Sequence, residues 1–244
     1  MAITMEKPAV SAVATTTVAS RAHSWALRSP DQIAMREKDF GIWHEYNWAQ
    51  TWDLIEVAAH GLLALGVGVG DRVAIHSEDR PEWILLDLAT VAVRGITVGL
   101  YPTNPMAEVE YLLGDCSPKV FFAEDQEQAD KVLEVDAVTA ASVEKILYVE
   151  PRGFADYSDP RLMFWDDFLE IGRAHRAENA TAVADLMAAA QPDDIMTLVY
   201  TSGTTGPPKG AMLSNTNAEF AIDKIINETS RIPGGEGPGP KDLI

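Results

Sequence analysis

The chain has one cysteine, Cys116, in 244 residues. A lone thiol excludes an internal disulfide and any cysteine-rich metal centre, and it fits a reducing, cytoplasmic setting. The five histidines form no His-x-x-x-His or Cys/His grouping, so a structural zinc has no support. Positive charge is scarce: 19 Lys and Arg stand against 37 Asp and Glu, a formal net charge of −18. That field repels nucleic acid and anionic membrane surfaces, so a polyanionic ligand must be held by local donors against it. Long apolar runs are missing too. The most apolar segment, Trp83–Leu100, is broken by Asp87, Arg94 and Gly95, which reads as a buried helix turning into a strand. No integral membrane segment is expected, and peripheral association at a membrane stays open. Near the N-terminus, Glu6 precedes the small-residue stretch Ala9–Ala14 and no leucine-rich core follows, so no secretory signal is recognised. Residues 1–17 read as a disordered N-terminus.

What is present suits a soluble globular chain: 47% of residues are apolar and 23% charged. A helix is expected over Val18–Leu27, then strands over Ile33–Arg36 and Ile42–Trp48 around a turn at Asp39-Phe40-Gly41. Trp52, Ile55, Ala59 and Leu62 recur at helical steps and predict an amphipathic helix closed by Gly66, with His60 a satisfied or half-exposed passenger on it. From Asp71 onward strands and helices alternate. Strands are expected at Val73–His76, Ile96–Tyr101, Lys119–Ala123 and Ile146–Val149, with helices at Glu82–Val93, Glu108–Leu113 and around Ala129–Leu133. The fold class is therefore α/β, with βαβ units, right-handed crossovers and a mostly parallel sheet. Pro151–Pro160 reads as a polar loop, and Trp165–Arg173 and Ala182–Ala189 as helices. Asp166 and Asp167 suit a helix start and His175 a helix end, while Asp193-Asp194 reads as a solvated loop.

The stretch that carries chemistry is Tyr-Thr-Ser-Gly-Thr-Thr-Gly-Pro-Pro-Lys-Gly-Ala, Tyr200–Ala211. An apolar β-prone run, Ile195 to Tyr200, leads into it. Glycines expose backbone N–H groups, Ser and Thr add hydroxyl donors, and Lys209 adds a cation: the makings of a phosphate cradle. A plain Ser/Thr/Gly/Pro loop is the bland alternative. Against it, Lys209 is the one basic residue between Ala177 and Asp223. A Walker A loop fails on residues, because Pro208 occupies the second glycine position and Gly210 follows the lysine where Ser or Thr is needed. A short strand over Ala211–Leu213 is expected next, then a helix capped by Ser214 or Asn215 with the stripe Ala218, Ala221, Ile222, Ile225 and Ile226. The loop thus joins two strands with a helix behind, whereas a Walker helix begins at the lysine itself.

Thr201–Gly210 resembles the signature loop of the adenylate-forming superfamily, which spans acyl-CoA synthetases, luciferases and peptide-synthetase adenylation domains. Every position of its common form is met. Two further stretches, Gly99–Pro105 and Trp165–Arg173, are similar to long-chain acyl-CoA synthetases of the bacterial and bubblegum type. The resemblance implies an incomplete N-terminal adenylating domain over residues 18–244. It also implies a reaction in which a fatty acid attacks the α-phosphorus of ATP with Mg²⁺, after which coenzyme A displaces AMP. In that reading Thr201, Ser202, Gly203, Thr204, Thr205, Gly206, Lys209 and Gly210 hold the ATP phosphates, Lys209 is catalytic, and Thr204 and Thr205 reach phosphate or its magnesium ion. The family's adenine, ribose and late lysine motifs have no counterpart here. Arg231–Lys241 reads as a surface loop, and Asp242–Ile244 as the start of a strand at which the chain stops. These features imply a truncated piece that does not catalyse adenylation alone. Activation of a medium-chain or aryl acid, and a non-catalytic nucleotide-binding relic, are the alternatives.

Overall fold

The computed structural model describes residues 16–201 and 207–229. Residues 1–15 of the segment expected to be disordered lie outside the described residues. So do the loop expected at Arg231–Lys241 and the strand expected from Asp242. Thr17 belongs to the folded part. It is buried, its hydroxyl accepts from the Ser20 amide, and the Ser20 hydroxyl accepts from the Thr17 amide. This reciprocal cap fixes the start of α1 (Val18–Arg28). An antiparallel hairpin of β1 (Ile33–Asp39) and β2 (Ile42–Asn47) follows, apart from the main sheet. Asn47 and Gln50 form a second reciprocal cap that opens α2 (Trp48–Ala64), so Trp48 begins a helix and is not part of the strand.

The alternation expected from Asp71 is met by β3 (Arg72–His76), α3 (Pro81–Ala92), β4 (Ile96–Leu100), α4 (Met106–Cys116), β5 (Val120–Ala123), α5 (Gln126–Leu133) and β6 (Lys145–Tyr148). Then come β7 (Leu162–Phe164), α6 (Trp165–Glu178), α7 (Ala182–Ala188), β8 (Ile195–Thr201), β9 (Lys209–Ser214) and α8 (Asn215–Thr229). β7 has three residues, too few to show a two-residue period, which is why its sequence signal is silent. The seven strands of the main sheet run in the order β7-β6-β5-β3-β4-β8-β9. All neighbours are parallel except β8 and β9, which are antiparallel.

Side chains alternate across this sheet and build a core on each face. Val73, Ile75, Phe122 and Leu147 pack toward Ile55, Leu86 and Phe168 on one side. Ala74, Phe121 and Ile146 pack toward Val109, Leu112 and Val132 on the other. α2 departs from its expected amphipathic character. It packs against α1, α3 and α6, and its residues 57–62 are all buried, so it has no solvent stripe at mid-length. Its contact with α6 is backbone-close: a Cβ on Gly172 would sit 2.1 Å from the Val57 carbonyl oxygen, and one on Gly61 2.5 Å from the Phe168 ring. The Trp165–Arg173 stretch therefore has a packing reason for its Phe and Gly.

Two side chains and one helix face differ from their expected settings. Asp193 is exposed in its loop as expected, but Asp194 beside it is half-buried. Its carboxylate accepts from Arg94 at 2.8 and 3.2 Å; burial alone would raise its pKa, and the Arg94 guanidinium with the Gln191 amide holds it below the usual range. Arg94 sits at φ 61°, which turns the chain from α3 into β4 and aims the guanidinium at that partner. His60 is fully buried, with Nδ1 2.9 Å from Nδ1 of His175 on α6, and its Nε2 has no partner among the described residues. The α8 stripe is only half covered: Ala218 and Ile222 are half-buried, Ala221 and Ile225 exposed, and the Ile226 side chain lies outside the described residues. Arg21 of α1 holds this helix through Glu219 and, at 3.0 Å, Asp223.

Candidate phosphate-binding site

β8 ends and β9 begins on one pair: Thr201 faces Lys209, and Tyr200 faces Gly210. Strand, loop-bearing segment, strand and helix thus follow in the expected order. Thr201, Lys209 and Gly210 are placed together, while Ser202, Gly203, Thr204, Thr205 and Gly206 lie outside the described residues. Lys209 is exposed, and its ammonium has no ion pair or hydrogen bond among the described residues. A cation left unpartnered among the described residues is free to meet an anion even in a chain of net charge −18.

The hairpin projects beyond its neighbour. β8 pairs with β4 through Thr197 and Leu198 only, and the Thr197 hydroxyl donates to the Thr97 carbonyl at 3.0 Å. Beyond that point two tyrosines join the hairpin to α4. The Tyr200 hydroxyl donates to Asp115 Oδ2 at 2.6 Å, and the Tyr111 hydroxyl donates to the Pro208 carbonyl at 2.9 Å. Burial and then the Asp115 carboxylate push the Tyr200 phenol well above its ordinary value, so it stays protonated and donates. Gly210 gives Tyr200 its path. A Cβ there would meet the tyrosine ring at 3.1 Å and its hydroxyl at 3.4 Å. The lone thiol is inert: burial pushes Cys116 up to about 12.

Topology adds a feature that sequence reasoning missed. The β3-α3-β4 unit steps one way along the sheet, and β4-α4-β5 crosses back over β3. α3 and α4 consequently pack on opposite faces, and the carboxyl ends of the strands are the usual ligand position in open α/β sheets. A cleft of about 420 Å³ lies there, lined by Ser77–Asp79, Gly99–Pro102 and β8 up to Tyr200. A 230 Å³ extension adds Asn104, Glu108 and Pro208. The Gly99–Pro105 stretch is thereby brought beside the hairpin. Ser77, Glu78 and Asp79 carried no motif; the reversal of strand order that exposes them depends on which strand β5 joins, and residue pattern does not encode that. A larger cavity of 520 Å³ lies between the β1–β2 hairpin and the start of α3, and none of the described residues of the loop lines it.

Among the described residues no group of three His, Cys, Asp or Glu is placed to hold a metal ion. The hydroxyls proposed for magnesium, on Thr204 and Thr205, lie outside them, so no step below runs through the ion. No helix among the described residues is long and apolar enough to cross a membrane.

The sequence profile of the AMP-binding enzyme family matches residues 22–236. The chain belongs to the AMP-binding enzyme family. Among curated relatives of this AMP-binding chain, the long-chain-fatty-acid–CoA ligase FadD15 of Mycobacterium bovis is 36% identical over 193 residues, covering 79% of this chain and 30% of its own. The human long-chain-fatty-acid–CoA ligase ACSBG1 is 33% identical over 187 residues, covering 77% of this chain and 25% of its own. The AMP-binding chain thus spans less than a third of the length of these relatives. The same fold occurs in the solved anthranilate CoA ligase AuaEII with anthranoyl-AMP, at a TM-score of 0.71 and 21% identity over 86% of this chain and 37% of that one. It also occurs in a putative long-chain-fatty-acid CoA ligase from Rhodopseudomonas palustris, at 0.67 and 23%, over 88% of this chain and 49% of that one.

One buried group of the AMP-binding fold gives it a pH dependence. His76, at the carboxyl end of β3, is fully buried against Phe121 and beside the Tyr101 and Pro102 backbone. Burial, with Lys131 adding, lowers its pKa to about 4. The unfolded state binds its proton near pH 6.5 and the folded state near 4, so the neutral ring's contribution is complete above 6.5 and is lost as pH falls between them. Urea unfolding at pH 6 and pH 5 is expected to show a loss of up to about 1.4 kcal/mol from this group. His76→Leu should remove that part of the slope; an identical slope in the variant contradicts the assignment.

Proposed function

We propose that this chain supplies the ATP phosphate-binding loop of a long-chain fatty acid–CoA ligase. In the reaction the acid's carboxylate oxygen attacks the α-phosphorus of ATP, pyrophosphate leaves, and the thiolate of coenzyme A then displaces AMP from the acyl-adenylate. The loop's task is to hold the β- and γ-phosphates as charge builds on the departing pyrophosphate. Thr201, Ser202, Gly203, Thr204, Thr205, Gly206, Lys209 and Gly210 are assigned to that hold, with Thr204 and Thr205 contacting phosphate or its magnesium ion. The observation that carries the reading is the exposed Lys209, unpartnered among the described residues and facing Thr201 on a hairpin beside the 420 Å³ cleft. The choice of a long-chain acid rests on what the FadD15 and ACSBG1 relatives are named for. A cytoplasmic setting, peripheral to a membrane at most, agrees with the single buried thiol.

Calorimetric titration with ATP and magnesium chloride tests this. Saturable binding that inorganic pyrophosphate displaces is expected. Heat that pyrophosphate does not compete away would remove the loop from the binding site.

A further inference from the structure

We infer that α4 positions the phosphate loop through two tyrosine tethers, Tyr111 to Pro208 and Tyr200 to Asp115. The inference rests on the phosphate-loop reading above. The sheet cannot do the positioning itself, since the β8–β4 register stops at Leu198, and Val199, Tyr200 and Thr201 pair only with β9 among the described residues. A two-stranded ribbon without a third strand twists and splays readily. The tethers meet that weakness on both strands' ends. Tyr111 takes the carbonyl of Pro208, the residue before Lys209, and so fixes the point from which the cation projects. Asp115 takes the hydroxyl of Tyr200, the residue before Thr201, and so fixes the other edge of the loop.

The two acceptor and donor positions on α4 are four residues apart, one above the other on the helix face toward the hairpin. α4 is itself anchored by Val109, Leu112 and Leu113 in the core, so a rigid element defines the loop's ends. Gly210 belongs to the same device, because a Cβ there would meet the Tyr200 ring at 3.1 Å and make it give by a few tenths of an ångström. Tyr111 and Asp115 are positioning residues; neither needs to touch the phosphates.

Amide hydrogen exchange of the 244-residue chain, read with its affinity for inorganic pyrophosphate in magnesium chloride, tests the proposal. In Tyr111→Phe, amides of Tyr200, Thr201, Lys209 and Gly210 should exchange about fivefold faster and pyrophosphate should bind about fivefold more weakly. Exchange in β3 and β5 should not change, which shows that the variant is folded. Asp115→Ala removes a charged hydrogen bond and should cost about 10-fold or more in both readouts. Asp115→Asn keeps an acceptor and should restore most of the loss. Unchanged hairpin exchange in both Tyr111→Phe and Asp115→Ala overturns the inference. If exchange responds as expected but the parent chain binds no pyrophosphate, the tethers stand and the phosphate reading falls.

Discussion

Gly172→Ala is expected to destabilise the fold by about 3 kcal/mol, at the upper end of overpacking costs. The added methyl would lie 2.1 Å from the Val57 carbonyl oxygen, 3.0 Å from its carbon and 3.1 Å from the Gly61 amide nitrogen. These are backbone atoms of α2, so no rotamer change relieves the clash; one helix must move relative to the other. Movement is costly here because α2 is buried on nearly every side at that level, and the Phe168 ring already fills the space over Gly61. For a domain whose whole stability is about 5–15 kcal/mol, such a loss is a large share. Gly114→Ala makes the control. It is an exposed helical glycine whose added Cβ finds nothing nearer than 3.6 Å, so helix propensity should make that variant neutral or up to about 1 kcal/mol more stable. Urea midpoints of the two variants check the contrast, and equal midpoints would mean that α2 and α6 are not as close as described.

Lys209→Ala is the second large effect, and it should fall on ligand binding with little effect on folding. Losing a hydrogen bond to a charged group costs about 1.5–3 kcal/mol. Affinity for magnesium ATP should therefore drop about 10- to 100-fold, and acyl-adenylate formation by a ligase carrying this segment should slow by a similar factor. The unfolding midpoint should move by less than about 0.5 kcal/mol, because the side chain is exposed and unpartnered among the described residues. Lys209→Arg keeps the charge on a different fork of donors and should recover only part of the loss. A variant that binds as the parent does would strip Lys209 of its role.

Much of the fold is legible from pattern. The apolar runs at Val73, Ile96, Val120 and Ile146, separated by helical stretches, mark a parallel sheet, and each is a strand of it. Local chemistry also reads well: Pro81 opens α3, and Gly66 follows α2 at φ 76°. What pattern misreads depends on partners distant in sequence. Asp194 looks like a solvated acid until Arg94, a hundred residues earlier, is placed against it. The periodicity of α2 suggests a solvent face along the whole helix, which holds at Ala49, Gln50 and Asp53 but which α1, α3 and α6 remove at residues 57–62. The loop motif names Thr201, Lys209 and Gly210 but says nothing of Tyr111 or Asp115, since their signal is a contact across β8 and β9. Gly210 shows the same limit: read as a phosphate contact, it also has a packing reason in the Tyr200 ring.

Amide chemical-shift mapping of the chain on titration with magnesium ATP tests the central claim most directly, because it reports where the nucleotide lies. The largest shifts should fall on residues 201–210, with smaller ones at Ser77–Asp79 and Tyr101 in the adjoining cleft, and Lys209→Ala should suppress them together. Shifts centred on Arg36, Lys38 and Arg80 around the larger cavity, with residues 201–210 silent, would contradict the claim.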